Sequence, residues 1–214
     1  PGQSRSVKLL LLPLQVDGYY AFEHCSEFKT QEELVEHVLR AAPRTWGVVV
    51  TEHSEFKPSL DDLTVQRLRR SHANFIYKKE LNAIPYVSQA LLAHVDAVVS
   101  VSSSLALQAL IFDCPVVAAG DSHVNAVATC GLNDLAQVFA RHEPGARDAL
   151  LHFLLTQYHW ATQDHVHDGA GLCDLLAKFW DLHVQGARGL VQARHVVAVL
   201  LLEMLGAQEQ ALAP

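Results

Sequence analysis

The apolar residues of this chain fall into short uninterrupted runs, each closed by a polar or helix-breaking residue. The run from Val7 to Leu12 ends at Pro13, and the run from Gly47 to Thr51 leads into a polar loop. Runs of this length without alternation are typical of strands that are buried on both faces of a parallel sheet. Comparable runs, one of them weaker, lie at residues 74–77, 96–101 and 115–120.

Stretches with helical periodicity separate these runs. The first predicted helix extends from Thr30 to about Arg40, because Thr30 and Glu33 match the spacing of a capping box. Further helices are predicted at residues 59–71, 85–94 and 105–112. Strands and helices that alternate at this spacing indicate βαβ units and a parallel sheet.

Beyond Leu132 the strand pattern stops and helical periodicity continues. Helices are predicted at residues 146–158, 172–184 and 190–205. We therefore expect an α/β fold in which residues 1–160 form a Rossmann-like, doubly wound parallel sheet and residues 161–214 form a helical extension packed on it. The most apolar late segment, residues 196–202, is too short to span a bilayer.

Composition narrows the classes of function. Half of the 214 residues are apolar and 18% are charged, so the chain can form a sizeable core. The formal charge of −7 argues against a nucleic-acid partner and against a polybasic membrane patch. The chain begins at Pro1 and shows no signal-peptide pattern, so we expect a cytoplasmic segment of a longer protein.

Neither the cysteines nor the histidines form a metal-binding pattern. The four cysteines are scattered without a C-x-x-C pair, which favours buried free thiols in a reducing cytoplasm. A late group of histidines comprises His152, His159, His165 and His167. Only His165 and His167 are close together, and no Asp, Glu or Cys pattern completes a site. We therefore expect no metal and no cofactor.

Polar segments follow three of the predicted strands. They are residues 15–20, residues 51–54, and the serine run Ser102, Ser103 and Ser104. In an open parallel sheet, ligands bind where the strands end and the loops lead into helices. We therefore expect these three segments to lie along one edge of the sheet and to form its binding site.

The serine run lies where a strand turns into a helix, which suits a phosphate. Its hydroxyls can cap the helix and leave backbone N–H groups free for an anion. The alternative, that these serines only cap the helix, stays open. Because the chain has neither a glycine-rich P-loop nor a G-x-G-x-x-G pattern, a dinucleotide or a triphosphate is disfavoured.

Three further residues at the strand ends carry possible chemistry. His53 can donate to a phosphate or to a leaving-group oxygen, although a lone histidine is more often structural or on the surface. Asp17 and Glu52 are candidate catalytic carboxylates because of their positions. Acidic residues are also common in loops simply because loops are hydrated.

In their order and spacing, the motifs resemble those of bacterial capsule polysaccharide biosynthesis proteins. Residues 12–18, L-P-L-Q-V-D-G, resemble the family's P-L-Q-V/L motif, and residues 48–54 lie where it has a strand followed by K-x-H-P. Residues 101–110 are similar to its S-S/T phosphate motif and the helix that follows. Residues 115–134 are similar to its G-K-P-V…G…G-L-T-D passage, and 152–158 to a late helix. The resemblance covers about residues 8–160.

This resemblance implies the donor-binding C-terminal half of a glycosyltransferase with two Rossmann-like domains, the GT-B architecture. Members include retaining transferases that move Kdo, an eight-carbon acidic sugar, from CMP-Kdo. The implied partners are a nucleotide sugar, with CMP as its favoured nucleotide, a glycan or glycolipid acceptor, and an N-terminal domain outside this sequence. Peripheral association of the whole protein with the inner face of the membrane is also implied.

The resemblance also assigns roles to individual residues. Ser103 and Ser104 would hold the CMP phosphate together with Ser102 of the same run. His53 would assist the same phosphate, and Gln15 would order the active-site loop. Gln108, which replaces a family glutamate, would hydrogen-bond a ribose hydroxyl.

Some positions depart from the family pattern. Thr51 and Ser54 replace the lysine and proline of K-x-H-P, and Lys57 would restore the lost positive charge. Tyr19 replaces the acidic residue expected four positions after Gln15, so Asp17 would have to act as the nucleophile. A non-catalytic nucleotide-sugar-binding or scaffold domain is therefore the alternative to an enzyme. A sugar-nucleotide epimerase of the same architecture is a third hypothesis.

Overall fold

The computed structural model describes residues 7–16, 18–53 and 56–153. Within these residues, six parallel strands form one sheet in the order β3-β2-β1-β4-β5-β6. This is the Rossmann order, in which the direction of winding reverses between β1 and β4. The predicted Rossmann-like, doubly wound sheet is confirmed. The strands are β1 (Leu9–Pro13), β2 (Gly47–Thr51), β3 (Phe75–Tyr77), β4 (Ala97–Ser100), β5 (Val116–Ala118) and β6 (Cys130–Gly131).

Helices connect the strands on both faces of the sheet. Among the described residues, the α-helices are α1 (Tyr20–Cys25), α2 (Gln31–Ala41), α3 (Asp62–Ser71), α4 (Lys79–Asn82), α5 (Val87–Leu91), α6 (Leu105–Ala109), α7 (Val138–Arg141) and α8 (Asp148–Phe153). Short 3-10 segments extend α5 at Leu92–His94 and α6 at Leu110–Phe112, and another leads into α7 at Leu132–Gln137. The segment His123–Ala126 stands alone.

The central strands are buried on both faces, as their uninterrupted apolar runs predict. Leu10, Leu11 and Leu12 of β1 have no exposed surface, and neither do Val98 and Val99 of β4. Alternate residues of a strand point to opposite faces, so full burial of consecutive residues requires a cover on each side. The helices supply this cover.

The helix α2 begins where the capping pattern predicts. Thr30 Oγ1 accepts a hydrogen bond from Glu33 N at 3.2 Å, so half of the capping box is present. The Glu33 carboxylate accepts from Lys29 N, one residue before the position that a complete box would use. On the next helix, Asp61 caps α3 by accepting from Thr64 N at 2.7 Å.

The predicted helix at residues 85–94 is shorter than expected and is interrupted. The α-helix α5 begins only at Val87, because Tyr86 before it has a left-handed backbone with φ 58°. The helix then tightens into the 3-10 segment Leu92–His94. The short elements α1, α4 and β6 were not predicted, because segments of two to six residues carry too few positions to show a period.

The described residues up to Asp148 form one compact unit. The helix α8 is the described part of the helix predicted at residues 146–158. The predicted boundary at residue 160, the two later helices and the C-terminal extension lie outside the described residues. Among the residues that the structure describes, no helix is long and apolar enough to cross a membrane.

A close backbone contact beside β5 predicts the effect of one glycine substitution. A Cβ added at Gly120 would lie 2.2 Å from the Cys25 carbonyl oxygen, which already accepts from Asp121 N at 2.7 Å. We expect Gly120→Ala to lower the free energy of unfolding in urea by about 1–3 kcal/mol. The matched control is Gly131→Ala, since a Cβ there meets nothing within 4 Å. Equal stability of the two variants would contradict this packing.

Candidate functional site

The three polar segments predicted from the sequence lie on adjacent strands. They follow β2, β1 and β4, which are neighbours in that order. Pro13 pairs with Thr51, and Gln15 and His53 each lie two residues beyond that pair. The reversal of winding between β1 and β4 is the topological switch point, where open α/β sheets bind ligands. We call the side of the sheet where the strands end its carboxyl edge.

A side-chain hydrogen bond joins the two strand ends at the switch point. Gln15 Nε2 lies 2.8 Å from Ser102 Oγ, so the amide donates to the hydroxyl. Ser102 Oγ is also 3.2 Å from the Ala21 carbonyl oxygen in α1, to which it can donate. Since this buried hydroxyl both accepts and donates within the protein, its observed contacts hold β1, β4 and α1 together.

The other two serines of the run have different environments. Ser103 Oγ accepts from Leu105 N at 3.3 Å, so Ser103 caps the first turn of α6. Ser103 N in turn donates to Ser100 Oγ at 3.1 Å. Ser104 occupies the N-cap position of α6, but its side chain makes no capping hydrogen bond. Ser104 therefore offers a half-buried hydroxyl without a capping contact, and Ser103 Oγ, which accepts from Leu105 N, still has its own O–H to donate to a ligand.

Gln108 lies on the same side of α6 as Ser104. The two residues are four positions apart, and Gln108 N donates to the Ser104 carbonyl oxygen at 3.2 Å. Side chains four apart on a helix are neighbours, so a ligand that contacts Ser104 can also reach the Gln108 amide. Because α6 has only five residues, individual N–H and O–H donors matter more here than the helix dipole.

Glu52 is directed into the protein. Its carboxylate is buried and accepts from the Tyr77 hydroxyl at 2.6 Å and from Ser59 N at 2.5 Å. Burial, followed by the hydrogen bond to Glu52, raises the pKa of the Tyr77 phenol above its usual value. Both carboxylate oxygens of Glu52 are therefore engaged within the protein.

The loop that carries His53 is tied down at its far end. Ser59 contacts Glu52 through its backbone, and its hydroxyl lies 3.4 Å from the Gln15 carbonyl oxygen. His53 is exposed and makes an edge-on ring contact with Phe56, with centroids 4.8 Å apart. Lys57 is exposed on the same loop. His53 and Gln15 are therefore brought to neighbouring strand ends, as the sequence predicts.

Of the two residues that bear on the predicted nucleophile, Asp17 and Tyr19, the structure describes only Tyr19. Asp17 lies outside the described residues. Tyr19 N donates to the Val16 carbonyl oxygen at 3.2 Å, and its ring lies 5.0 Å from that of Tyr20. The assignment of Asp17 as a catalytic residue stays a prediction.

Sequence reasoning missed a segment that covers the end of β2. Residues 82–88, which we call the strap, are fixed at both ends. Asn82 Oδ1 accepts from Glu52 N at 3.1 Å, and Ser88 Oγ lies 2.8 Å from Thr51 Oγ1. The signal that could have marked the strap is Pro85, which disfavours a helix through the residue before it.

The described cysteines and histidines do not form a metal site. Cys25, Cys114 and Cys130 are free thiols, and the last two are buried. Burial raises the pKa of Cys114 to about 12, so its thiol stays protonated at neutral pH. In the described part of the chain, no three His, Cys, Asp or Glu side chains are grouped to hold a metal ion. Of the late histidines, only His152 is described.

The fold and the polar groups at its switch point define a Rossmann-like α/β domain with a candidate ligand site between β1 and β4. The family model described as capsule polysaccharide biosynthesis protein matches residues 2–164. The chain belongs to this family. Membership confirms the resemblance seen in the motifs and indicates a role in capsule polysaccharide synthesis. No curated protein matches the chain.

The buried pair of Tyr77 and Glu52 predicts a loss of stability at high pH. Because the folded protein raises the phenol pKa above 10.0, the protonated form is favoured on folding. The corresponding stability is complete below pH 10 and falls as the pH rises above it. In a titration that follows phenolate absorbance, we expect Tyr77 to ionise after the ordinary tyrosines, and Tyr77→Phe to remove this late component. The urea-unfolded protein is the control, and a Tyr77 component near pH 10 in the folded protein would argue against the burial.

Proposed function

We propose that this domain binds the nucleotide-activated sugar of a capsule glycosyltransferase and forms the donor-binding part of a GT-B enzyme. The donor that the motifs favour is CMP-Kdo. The observation that carries the proposal is the arrangement at the switch point. There the Gln15–Ser102 hydrogen bond fixes the two strand ends, and Ser104 keeps its hydroxyl free of capping contacts. Association of the whole protein with the inner face of the membrane remains part of this proposal.

The phosphate of the donor would lie over the start of α6. Ser104 Oγ can donate to a phosphate oxygen, and Gln108 on the same side of the helix can reach a ribose hydroxyl. His53 approaches from the β2 side, and Lys57 on its loop adds positive charge. When CMP departs, negative charge develops on its phosphate, and donors that are already oriented stabilise that charge most effectively.

Catalysis with retention needs a nucleophilic carboxylate. One carboxylate oxygen attacks the anomeric carbon, and the bond from that carbon to the phosphate oxygen breaks, so that its electron pair leaves with CMP. The acceptor hydroxyl then displaces the carboxylate and loses its proton to a base. Glu52 does not suit this role because Tyr77 and Ser59 already bind its oxygens. Asp17 is the candidate from this chain, and the acceptor would bind mainly to the N-terminal domain.

A non-catalytic nucleotide-sugar-binding domain is the second candidate function. Two observations favour it: Tyr19 stands where the family pattern has an acidic residue, and Glu52 is buried and engaged. Such a domain would keep the phosphate contacts of Ser104 and His53 and would lack the nucleophile. It would bind donor without turning it over.

Binding of nucleotides tests the proposed site. We expect calorimetry on residues 1–214 to show binding of CMP in preference to UMP and GDP. Ser104→Ala should weaken CMP binding by about tenfold, because a hydrogen bond to a charged phosphate is lost. Ser71→Ala, an exposed serine at the end of α3, is the matched control and should leave the affinity unchanged. If CMP does not bind, or binds Ser104→Ala as tightly as the natural protein, the site is wrong.

Turnover of the donor separates the two candidate functions. In the complete protein we expect slow hydrolysis of CMP-Kdo, reduced by Asp17→Asn at least about a hundredfold because the nucleophile is removed. Glu23→Gln, on the exposed side of α1, is the control. Residues 1–214 alone should bind and not transfer. Binding of CMP by the complete protein without hydrolysis or transfer would reject the enzyme and support the binding domain.

A further inference from the structure

The strap presents an exposed aromatic side chain at the carboxyl edge. Its two ends are fixed to Thr51 and Glu52, the last residue of β2 and the residue after it. The helix α5, which begins directly after Tyr86, packs against β1 and α6. Tyr86 therefore lies in a segment that is fixed to the end of β2 and leads into a helix packed on β1 and α6.

The backbone of Tyr86 is one that a tyrosine rarely adopts. Val87 N donates to the Ile84 carbonyl oxygen at 3.3 Å, which closes a turn with Pro85 second and Tyr86 third. Tyr86 has φ 58° and ψ 23°, in the left-handed region that favours Gly or Asn at this position of a turn. Strained positions of this kind cluster at ligand sites.

Packing within the described domain does not explain why position 86 holds a tyrosine. The Tyr86 side chain is 75% exposed, whereas buried tyrosines gain their stabilisation from removal of the ring from water. Two other large apolar residues of the same edge, Phe56 and Ile84, are about half exposed. The carboxyl edge, which also carries the predicted phosphate position, therefore offers a flat exposed aromatic ring to a planar ligand group.

We propose that Tyr86 stacks on the base of the bound nucleotide. This inference rests on the proposed function, because it assumes that a nucleotide occupies the switch point. Every nucleobase has an aromatic face, so a stacking residue adds affinity without reading the base. The substrate class is then a sugar linked to a nucleoside phosphate, and Tyr86 distinguishes it from a simple sugar phosphate.

The test compares a ligand that has a base with one that lacks it. We expect Tyr86→Ala and Tyr86→Gly to weaken CMP binding on the order of tenfold and to leave the binding of ribose 5-phosphate unchanged. Tyr86→Phe keeps the ring and should bind CMP within about twofold of the natural protein. Chemical-shift titration suits both ligands because it reaches millimolar dissociation constants.

Two further readouts separate stacking from a role in folding. Tyr86→Gly should melt at the same or a higher temperature, since glycine adopts a positive φ without strain. The cytosine H5 and H6 resonances of CMP should move upfield on binding to the natural protein and not on binding to Tyr86→Ala. Ile111→Ala is the matched control, because this exposed residue lies in the segment Leu110–Phe112 that leads into β5 at the opposite edge.

The possible results have distinct meanings. If the natural protein binds no CMP, the proposed function fails. If it binds CMP and Tyr86→Ala binds it equally well, only the stacking inference fails. An equal loss of affinity for CMP and for ribose 5-phosphate would also overturn stacking, because Tyr86 would then act through the fold.

Discussion

The hydrogen bond between Gln15 and Ser102 is the contact on which the carboxyl edge depends. It joins the ends of the neighbouring strands β1 and β4. The connections that leave these two strands run in opposite directions along the sheet, so no connecting loop closes the space between the strand ends. Through the Ala21 carbonyl oxygen the same hydroxyl also holds α1. Loss of the Ser102 hydroxyl would leave Gln15 Nε2 and the Ala21 carbonyl oxygen without this partner, at about 1–3 kcal/mol for each one that stays buried.

The polar groups of the edge divide into two sets. Ser102, Ser103 and Glu52 make hydrogen bonds within the protein and fix the loops. Ser104 and His53 lie at the same strand ends with exposed or half-exposed side chains. The first set fixes the loops and so holds the backbone from which the second set can reach an anion, and Ser104 Oγ is not committed to a capping contact.

The sequence predicted the parallel sheet and the placement of the three polar segments at adjacent strand ends. The bounds of β2 follow from its apolar run, and the strand ends follow from the rule that parallel strands end at one edge. The individual roles could not be predicted. Which serine is engaged depends on Gln15, 87 positions away, and the direction of Glu52 depends on Tyr77, 25 positions away. Such contacts form only when the sheet assembles, so local patterns do not contain them. The strap could not be predicted for a related reason. A glycine in the left-handed position would have indicated a turn, but that position holds Tyr86.

A crystal structure of the domain with CMP tests most directly whether the switch point is the ligand site. We expect a phosphate oxygen within about 3 Å of Ser104 Oγ, over the ends of β1 and β4, with the Gln15–Ser102 hydrogen bond intact. CMP bound elsewhere, or a Ser104 side chain turned into the core, would contradict this expectation.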